Sequence, residues 1–171
     1  MLIDQALELF KSKHRKVRVR AAKLLVGNYQ EVPLSVLLKI LDDFHEDGLG
    51  AGVELALLKR ADPEMTNAMV LRLRSPATFV REVACKILGK RGGPKVASAL
   101  LVALEDKNPA VRHEAGFALA DLADPCSAPQ LLKLYRASAK DDINVRCAME
   151  CALDKLGVKY AKHPEPIGSR G

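Results

Sequence analysis

A few residues in the 171-residue chain have types and spacings that could do chemistry. His113 and Glu114 stand together in Val-Arg-His-Glu-Ala-Gly and offer an imidazole nitrogen and a carboxylate, donors that suit non-haem iron. A facial triad of two histidines and a carboxylate needs one ligand more than this dyad supplies. Cys147 and Cys151 are four residues apart, which puts both thiols on one side of a helix, but zinc wants four tetrahedral ligands. Gly48-Leu49-Gly50-Ala51-Gly52 has the glycine content of a phosphate loop without the preceding strand or the following Lys-Ser/Thr. No nucleophile elbow occurs. What remains is charge: Lys11, Lys13, Arg15, Lys16, Arg18, Arg20 and Lys23 crowd into thirteen residues and create a field that attracts anions. These residues lead us to expect no catalytic residue, no metal ligand set and no cofactor; the chemistry on offer is recognition.

The residues that would do the recognising must be positioned by a repeat. Val80-Arg81-Ala84-Leu88 and Val111-Arg112-Ala115-Leu119 match without a gap, Val17-Arg18-Ala21-Leu25 repeats them, and Val145-Arg146-Met149-Leu153 does so with Met for Ala. Leu49-Gly50-Val53-Leu57 keeps the apolar positions and loses the arginine, giving start-to-start spacings of 32, 31, 31 and 34 residues. A period just above thirty predicts helical hairpins. Offsets 0, +4 and +8 form one apolar stripe of a second, or B, helix. Apolar-periodic stretches at Leu2 to Phe10, Leu34 to Leu41, Met65 to Leu73, Val96 to Leu104 and Leu131 to Tyr135 supply the first, or A, helices. Pro33, Pro63, Pro94 and Pro125 or Pro129 fall at A-helix starts, where a missing N–H is harmless. Gly27, Gly92 and Gly157 follow B helices, where a left-handed cap is expected.

The expected fold is therefore all-α, a right-handed α-α superhelix (solenoid) of about five helical hairpins, with repeats at about 1–30, 31–61, 62–92, 93–123 and 124–157 and a flexible C-terminal tail over 158–171. Low aromatic content, 4% with no Trp, agrees with close-packed helices. The second repeat departs from the pattern: its glycines weaken a B-helix start and predict a local irregularity or a close contact there.

The pattern resembles the HEAT-repeat superfamily, in particular the short HEAT-like repeats of the phycobilisome-lyase type, whose signature is similar to Leu104-Glu105-Asp106-Lys107-Asn108-Pro109-Ala110-Val111-Arg112-His113-Glu114-Ala115. The resemblance covers residues 1 to about 157. It implies the fold and leaves function open, because such repeats serve adaptors, lyase subunits, a metal-dependent hydroxylase and DNA-repair glycosylases. His113-Glu114 is similar to the His-Glu motif of deoxyhypusine hydroxylase, which implies several such dyads on successive repeats. Here the positions in register are Val19-Arg20, Ala51-Gly52, Glu82-Val83 and Cys147-Ala148, so one dyad stands alone. The glycosylase resemblance implies a basic face with aromatics; Phe117 is the only aromatic among the outward offsets, which leaves little for base stacking.

In HEAT-like solenoids the B helices line the concave, commonly binding, face. Offsets +2, +3, +6 and +10 point away from the apolar stripe and give the expected partner-binding residues: Arg20, Lys23, Lys59, Lys86, Lys90, His113, Glu114 and Phe117. The first three repeats are lysine-rich there, and the last two are less charged and partly apolar. The repeated arginines Arg18, Arg81, Arg112 and Arg146 are assigned a structural role, bridging turn carboxylates such as Asp106, Asp141 and Asp142 and free carbonyls.

Charge is uneven. Residues 1–95 hold 17 Lys/Arg against 11 Asp/Glu, the rest ten against ten, so the net +6 is N-terminal. The expected partner is another protein, acidic where it meets the basic repeats. The alternative is sequence-independent nucleic-acid binding through Lys23, Lys59, Lys86 and Lys90; a metal-dependent or lyase-type enzyme subunit ranks third. No run approaches the roughly 20 apolar residues of a membrane span, no secretory signal opens the chain, and the scattered Cys85, Cys126, Cys147 and Cys151 suit reduced thiols. A cytoplasmic protein without a membrane partner is expected.

Overall fold

A computed structural model describes residues 2–93, 95–138 and 142–162. Among the described residues there are ten α-helices, two 3-10 turns and no strand. The chain divides into two compact units, with the boundary between Ile87 and Leu88.

The first unit contains α1 (Leu2–Phe10), α2 (Arg15–Gly27), α3 (Leu34–Phe44), α4 (Gly50–Lys59), α5 (Met65–Arg72) and most of α6 (Thr78–Arg91). A helices α1 and α3 pack on B helices α2 and α4, and α2 packs on α4. The core is built from Phe10, Ala21, Leu25, Leu37, Ile40, Leu41, Val53, Leu57, Met65, Met69, Val80 and Ala84, all buried. Each large aliphatic side chain so buried contributes roughly 1.5–3 kcal/mol. Phe10 meets Phe44 with ring centroids 5.6 Å apart, and the Arg15 and Arg18 guanidinium groups lie 5.4 and 6.0 Å from the Phe44 ring.

Repeat two is irregular where its glycines predict. A 3-10 turn, His45–Asp47, precedes Gly48, whose φ of 75° is left-handed. Gly50 cannot carry a side chain without displacement, since a Cβ there would sit 2.9 Å from the Phe79 ring. His45 stacks on that same ring at 5.7 Å, and its Nδ1 lies 3.0 Å from the Leu41 carbonyl oxygen. The glycine is thus the space that an aromatic from the next repeat fills.

Arg60 ends this hairpin. Its Nε and Nη2 donate to Asp62 at 2.6 and 2.7 Å, and Nη1 donates to the carbonyl oxygens of Tyr29, at 2.5 Å, and Val32. Hydrogen bonding to Asp62 raises the guanidinium pKa further above its usual value; the bidentate pair fixes the guanidinium, and its Nη1 fastens the turn after α2 to the end of α4.

The second unit contains the last turn of α6, then α7 (Val96–Ala103), α8 (Pro109–Leu122), α9 (Ala128–Ala137) and α10 (Ile143–Lys155). Helix α8 packs on α7 and on α10, and α9 on α10. Leu88, Val96, Leu100, Val111, Ala115, Leu119, Leu131, Tyr135, Val145, Met149 and Leu153 are buried. Asn108 caps α8 by accepting from Ala110 N–H at 2.9 Å, ahead of Pro109 in the first turn, and Asp142 caps α10 by accepting from Asn144 N–H at 2.8 Å.

Two expectations need correction. Gly92 and Gly157 are left-handed, with φ of 64° and 67°, but Gly27 is the last helical residue of α2 and Asn28 takes over, donating its backbone N–H to Leu24 and Leu25. Lys95 and Ala123 adopt the left-handed conformation instead, at φ 66° and 47°. Val83 and Ala148, at an offset expected to face outward, are fully buried. Contacts at that same offset give the reason: a Cβ on Gly116 would lie 2.7 Å from the Ala148 Cβ, and one on Gly52 would lie 3.2 Å from Val26 Cγ1, so offset +3 faces the preceding B helix.

After α10 the chain turns back. Val158 N–H donates to Leu153 and Gly157 N–H to Asp154, both at 3.0 Å, a pattern that satisfies the last free carbonyls of the helix. Tyr160 then meets Tyr135 edge-on at 5.1 Å and donates to Asp154 at 2.9 Å. Pro94, Asp141 and residues 163–171 of the expected tail lie outside the described residues.

Candidate partner-binding face

The B helices hold their outward side chains by fixing their own arginines inward. Arg18 Nη1 donates to the carbonyls of Ser12 and Lys13 at 2.8 and 3.1 Å; Arg81 Nη1 donates to Ser75 and Pro76 at 2.9 and 3.1 Å; Arg112 Nη1 donates to Asp106 and Lys107 at 2.9 and 3.4 Å. Three arginines thus make one clamp, onto the turn carbonyls six and five residues back. Arg81 and Arg146 are buried. Of the turn acids, Asp106 and Asp142 each accept a backbone N–H, from Asn108 and Asn144, and the acceptors that recur at Arg18, Arg81 and Arg112 are main-chain carbonyls.

In the first unit the outward face is cationic. Taking 100° per residue, Lys16, Arg20, Lys23, Leu24 and Gly27 span an arc of about 100° on α2, and Ala51, Gly52, Leu55 and Lys59 span a similar one on α4. All nine are exposed, Leu55 by 53% and Leu24 by 44%. The close approach of Gly52 to Val26 sets the two arcs side by side. Among the described residues, Lys16, Arg20, Lys23 and Lys59 have no carboxylate partner. Lys86 differs: its Nζ lies 3.1 Å from Glu54, which α4 turns away from α2.

In the second unit the lysines at outward offset +10 share an acid. Asp121 lies 3.5 Å from Lys90 and 3.7 Å from Lys155, forming a three-membered ladder at offset +10. His113 is half-buried, its Nδ1 3.8 Å from Glu114 and its ring edge-on to Phe117 with centroids 4.8 Å apart. It also borders a depression of about 400 Å³ lined with Pro109, Ala110, Asp142, Asn144 and Val145. Cys147 is exposed and Cys151 half-buried. Among the described residues no three His, Cys, Asp or Glu side chains gather closely enough to hold a metal ion.

The structure therefore separates the eight expected residues. Arg20, Lys23 and Lys59 gather on the α2–α4 face; Lys86 is drawn to Glu54, and Lys90 to Asp121; His113, Glu114 and Phe117 share one side of α8. Lys16, which the sequence placed in the basic cluster but not among the contact residues, and Leu24, which it did not single out, belong to the first group. Their signal was the helical arc itself, which takes in offsets −1 and +7 besides those chosen.

With the hairpins and their faces established, comparison with known proteins gives the lineage. A family model described as HEAT repeats matches residues 66–153, just over half of the chain. The chain belongs to the HEAT-repeat family. Its HEAT repeats form an all-α solenoid, and the similarity to solved structures agrees: an engineered protein, a Northeast Structural Genomics Consortium target, superposes with a TM-score of 0.56 at 18% identity, over 91% of this chain and 79% of that one. At that identity the likeness speaks for the fold alone. No curated protein matches the sequence. Among the described residues no helix is long and apolar enough to cross a membrane.

Proposed function

We propose that this HEAT-repeat chain is a protein-interaction scaffold that holds a partner on the outward faces of its B helices. The observation that carries the reading is the state of those faces: Leu55 and Phe117 remain 53% and 42% exposed at equivalent offsets of α4 and α8, among cations and polar groups that internal packing does not use. Exposed apolar side chains ringed by charge are the usual make-up of an interface core and rim. Arg20, Lys23, Lys59, Lys86, Lys90, His113, Glu114 and Phe117 are the proposed contact residues, presented by five repeats that extend the family match through residues 1–157. Assignment to the phycobilisome-lyase type of HEAT-like repeat belongs to this proposal too, on the strength of the Leu104 to Ala115 signature; it carries no chromophore role. A cytoplasmic location is likewise part of the reading.

Nucleic-acid binding is the second reading, favoured by the unpaired cations of α2 and α4. Aromatics that would stack on bases are missing from that face, which favours protein. A metal-dependent or lyase-type role would need ligands beyond His113 and Glu114.

Photo-crosslinking residues placed at Leu55 and Phe117 should capture the same partner, while equivalents at Leu71 and Val102, the exposed apolar positions of α5 and α7, should not. Capture from the A helices instead would overturn the reading.

A further inference from the structure

The geometry points to the α2–α4 face of the first unit as a docking site for an acidic, amphipathic segment of a partner protein, in which carboxylates meet Lys16, Arg20, Lys23 and Lys59 and an apolar side chain packs on Leu55. This deepens the scaffold reading and rests on it.

Three observations converge. The first is charge without an internal counterpart. The other lysines at outward offsets of the B helices have carboxylates within reach, Lys86 with Glu54 and Lys90 and Lys155 with Asp121, whereas Lys16, Arg20, Lys23 and Lys59 have none among the described residues. Glu54, the one acid of α4, is turned toward Lys86. A face left with four cations and no anion is complementary to an acidic partner.

The second is shape. Gly27, Ala51 and Gly52 are exposed between those cations, and Gly52 brings α4 against Val26 of α2. Small residues flanked by long cationic side chains make a shallow floor between two rims. A partner backbone can approach such a floor while Lys23 from one helix and Lys59 from the other reach over it.

The third is the apolar content. Leu24 and Leu55 are exposed on the two arcs, one on each helix. A polyanion recognised by charge alone has no use for them. A peptide with carboxylates on one stripe and a leucine-like residue beside it uses both. The spacing also fits: Lys16, Arg20 and Lys23 recur at i, i+4 and i+7, so a partner helix with acids at the same recurrence lies along them in register. The second unit provides the contrast, since both lysines of its Lys90–Asp121–Lys155 ladder already reach a carboxylate.

The test titrates the full chain with three fluorescent probes: a 16-residue helical peptide with glutamates on one stripe and leucines beside it, an equally charged polyglutamate, and a single-stranded oligonucleotide. The amphipathic peptide should bind tightest. Lys23→Glu should weaken it roughly tenfold and Leu55→Ser about fivefold, while Lys133→Glu and Leu71→Ser, both exposed and outside the proposed contacts, and the charge-keeping Lys23→Arg leave it unchanged. These positions are solvent-facing, and a thermal melt confirms that each variant folds. Tightest binding of the oligonucleotide or polyglutamate, with no effect of Leu55→Ser, would replace the inference with a general polyanion surface. Binding of the peptide that is indifferent to Lys23→Glu, or absent, would overturn it. The scaffold reading fails separately, through the crosslinks: capture at Phe117 alone, with no peptide binding, leaves the scaffold standing and removes this site.

Discussion

Arg112 illustrates how little a charge that recurs along the chain reveals about its partner. It closes a turn by donating to the Asp106 and Lys107 carbonyls, and Arg18 and Arg81 do the same at matching positions. Hydrogen bonds from a charged donor contribute about 1.5–3 kcal/mol. Arg112→Ala should lower stability by roughly that amount, several degrees in a thermal melt. Arg112→Lys should recover little, because one ammonium cannot reproduce the planar fork. An unchanged melt for either variant would refute the clamp. The Val-Arg pair was legible from its recurrence, and a structural role with free carbonyls among its acceptors followed; which carbonyls was not legible, because a main-chain acceptor has no sequence signature. Tyr160 makes a second point about single residues. Burial first, and then its bond to Asp154, push the phenol well above its usual pKa of 10.0. The folded state therefore binds the phenolic proton more tightly than the unfolded chain. Its stabilising contribution is complete below about pH 10 and is lost as pH rises toward the folded pKa. Melting temperature should fall more steeply above pH 10 in the native chain than in Tyr160→Phe, and parallel curves would contradict the contact.

Helices were the most legible part of the fold. The expected A stretches coincide with α1, α3, α5, α7 and α9 to within a few residues, since apolar recurrence and proline together fix where a helix starts. How closely the B helices approach was not legible. Gly89 and Gly116 sit inside α6 and α8, where glycine weakens a helix by about 1 kcal/mol relative to Ala. The reason lies in the neighbours: a Cβ on Gly89 would meet Ala118 Cα at 2.6 Å, and one on Gly116 would meet Ala148 Cβ at 2.7 Å. Small residues facing each other let α8 and α10 close together. Gly116→Val should destabilise the chain by about 1–3 kcal/mol or more despite removing a flexible residue, and Gly27→Ala, with open space around it, serves as the neutral control. Equal melts for the two would mean that the helices can part at no cost. The same tight approach explains why Val83 and Ala148 are buried: on B helices the apolar stripe widens to include the side that touches a B-helix neighbour.

Across the chain, the sequence-level picture of a basic N-terminal half is correct in composition and incomplete in geometry. Lys86 finds Glu54 thirty-two residues earlier, and Lys90 and Lys155 both find Asp121. Such pairings depend on which helices a repeat places side by side, so counting charges along the chain cannot reveal them. Among the described residues they leave Lys16, Arg20, Lys23 and Lys59 as the cations of the α2–α4 face without a carboxylate, beside Leu24 and Leu55. They also leave α8 with its own character, His113 and Phe117 in edge-on contact near a depression of about 400 Å³. HEAT repeats offer surfaces of this kind to macromolecules because stacked hairpins expose whole helix faces. The measurement that bears on this account with least inference is site-specific photo-crosslinking in cells that express the chain. Leu55 and Phe117 should yield one shared partner and Leu71 and Val102 none; crosslinks confined to the A-helix positions would contradict recognition by the B-helix faces.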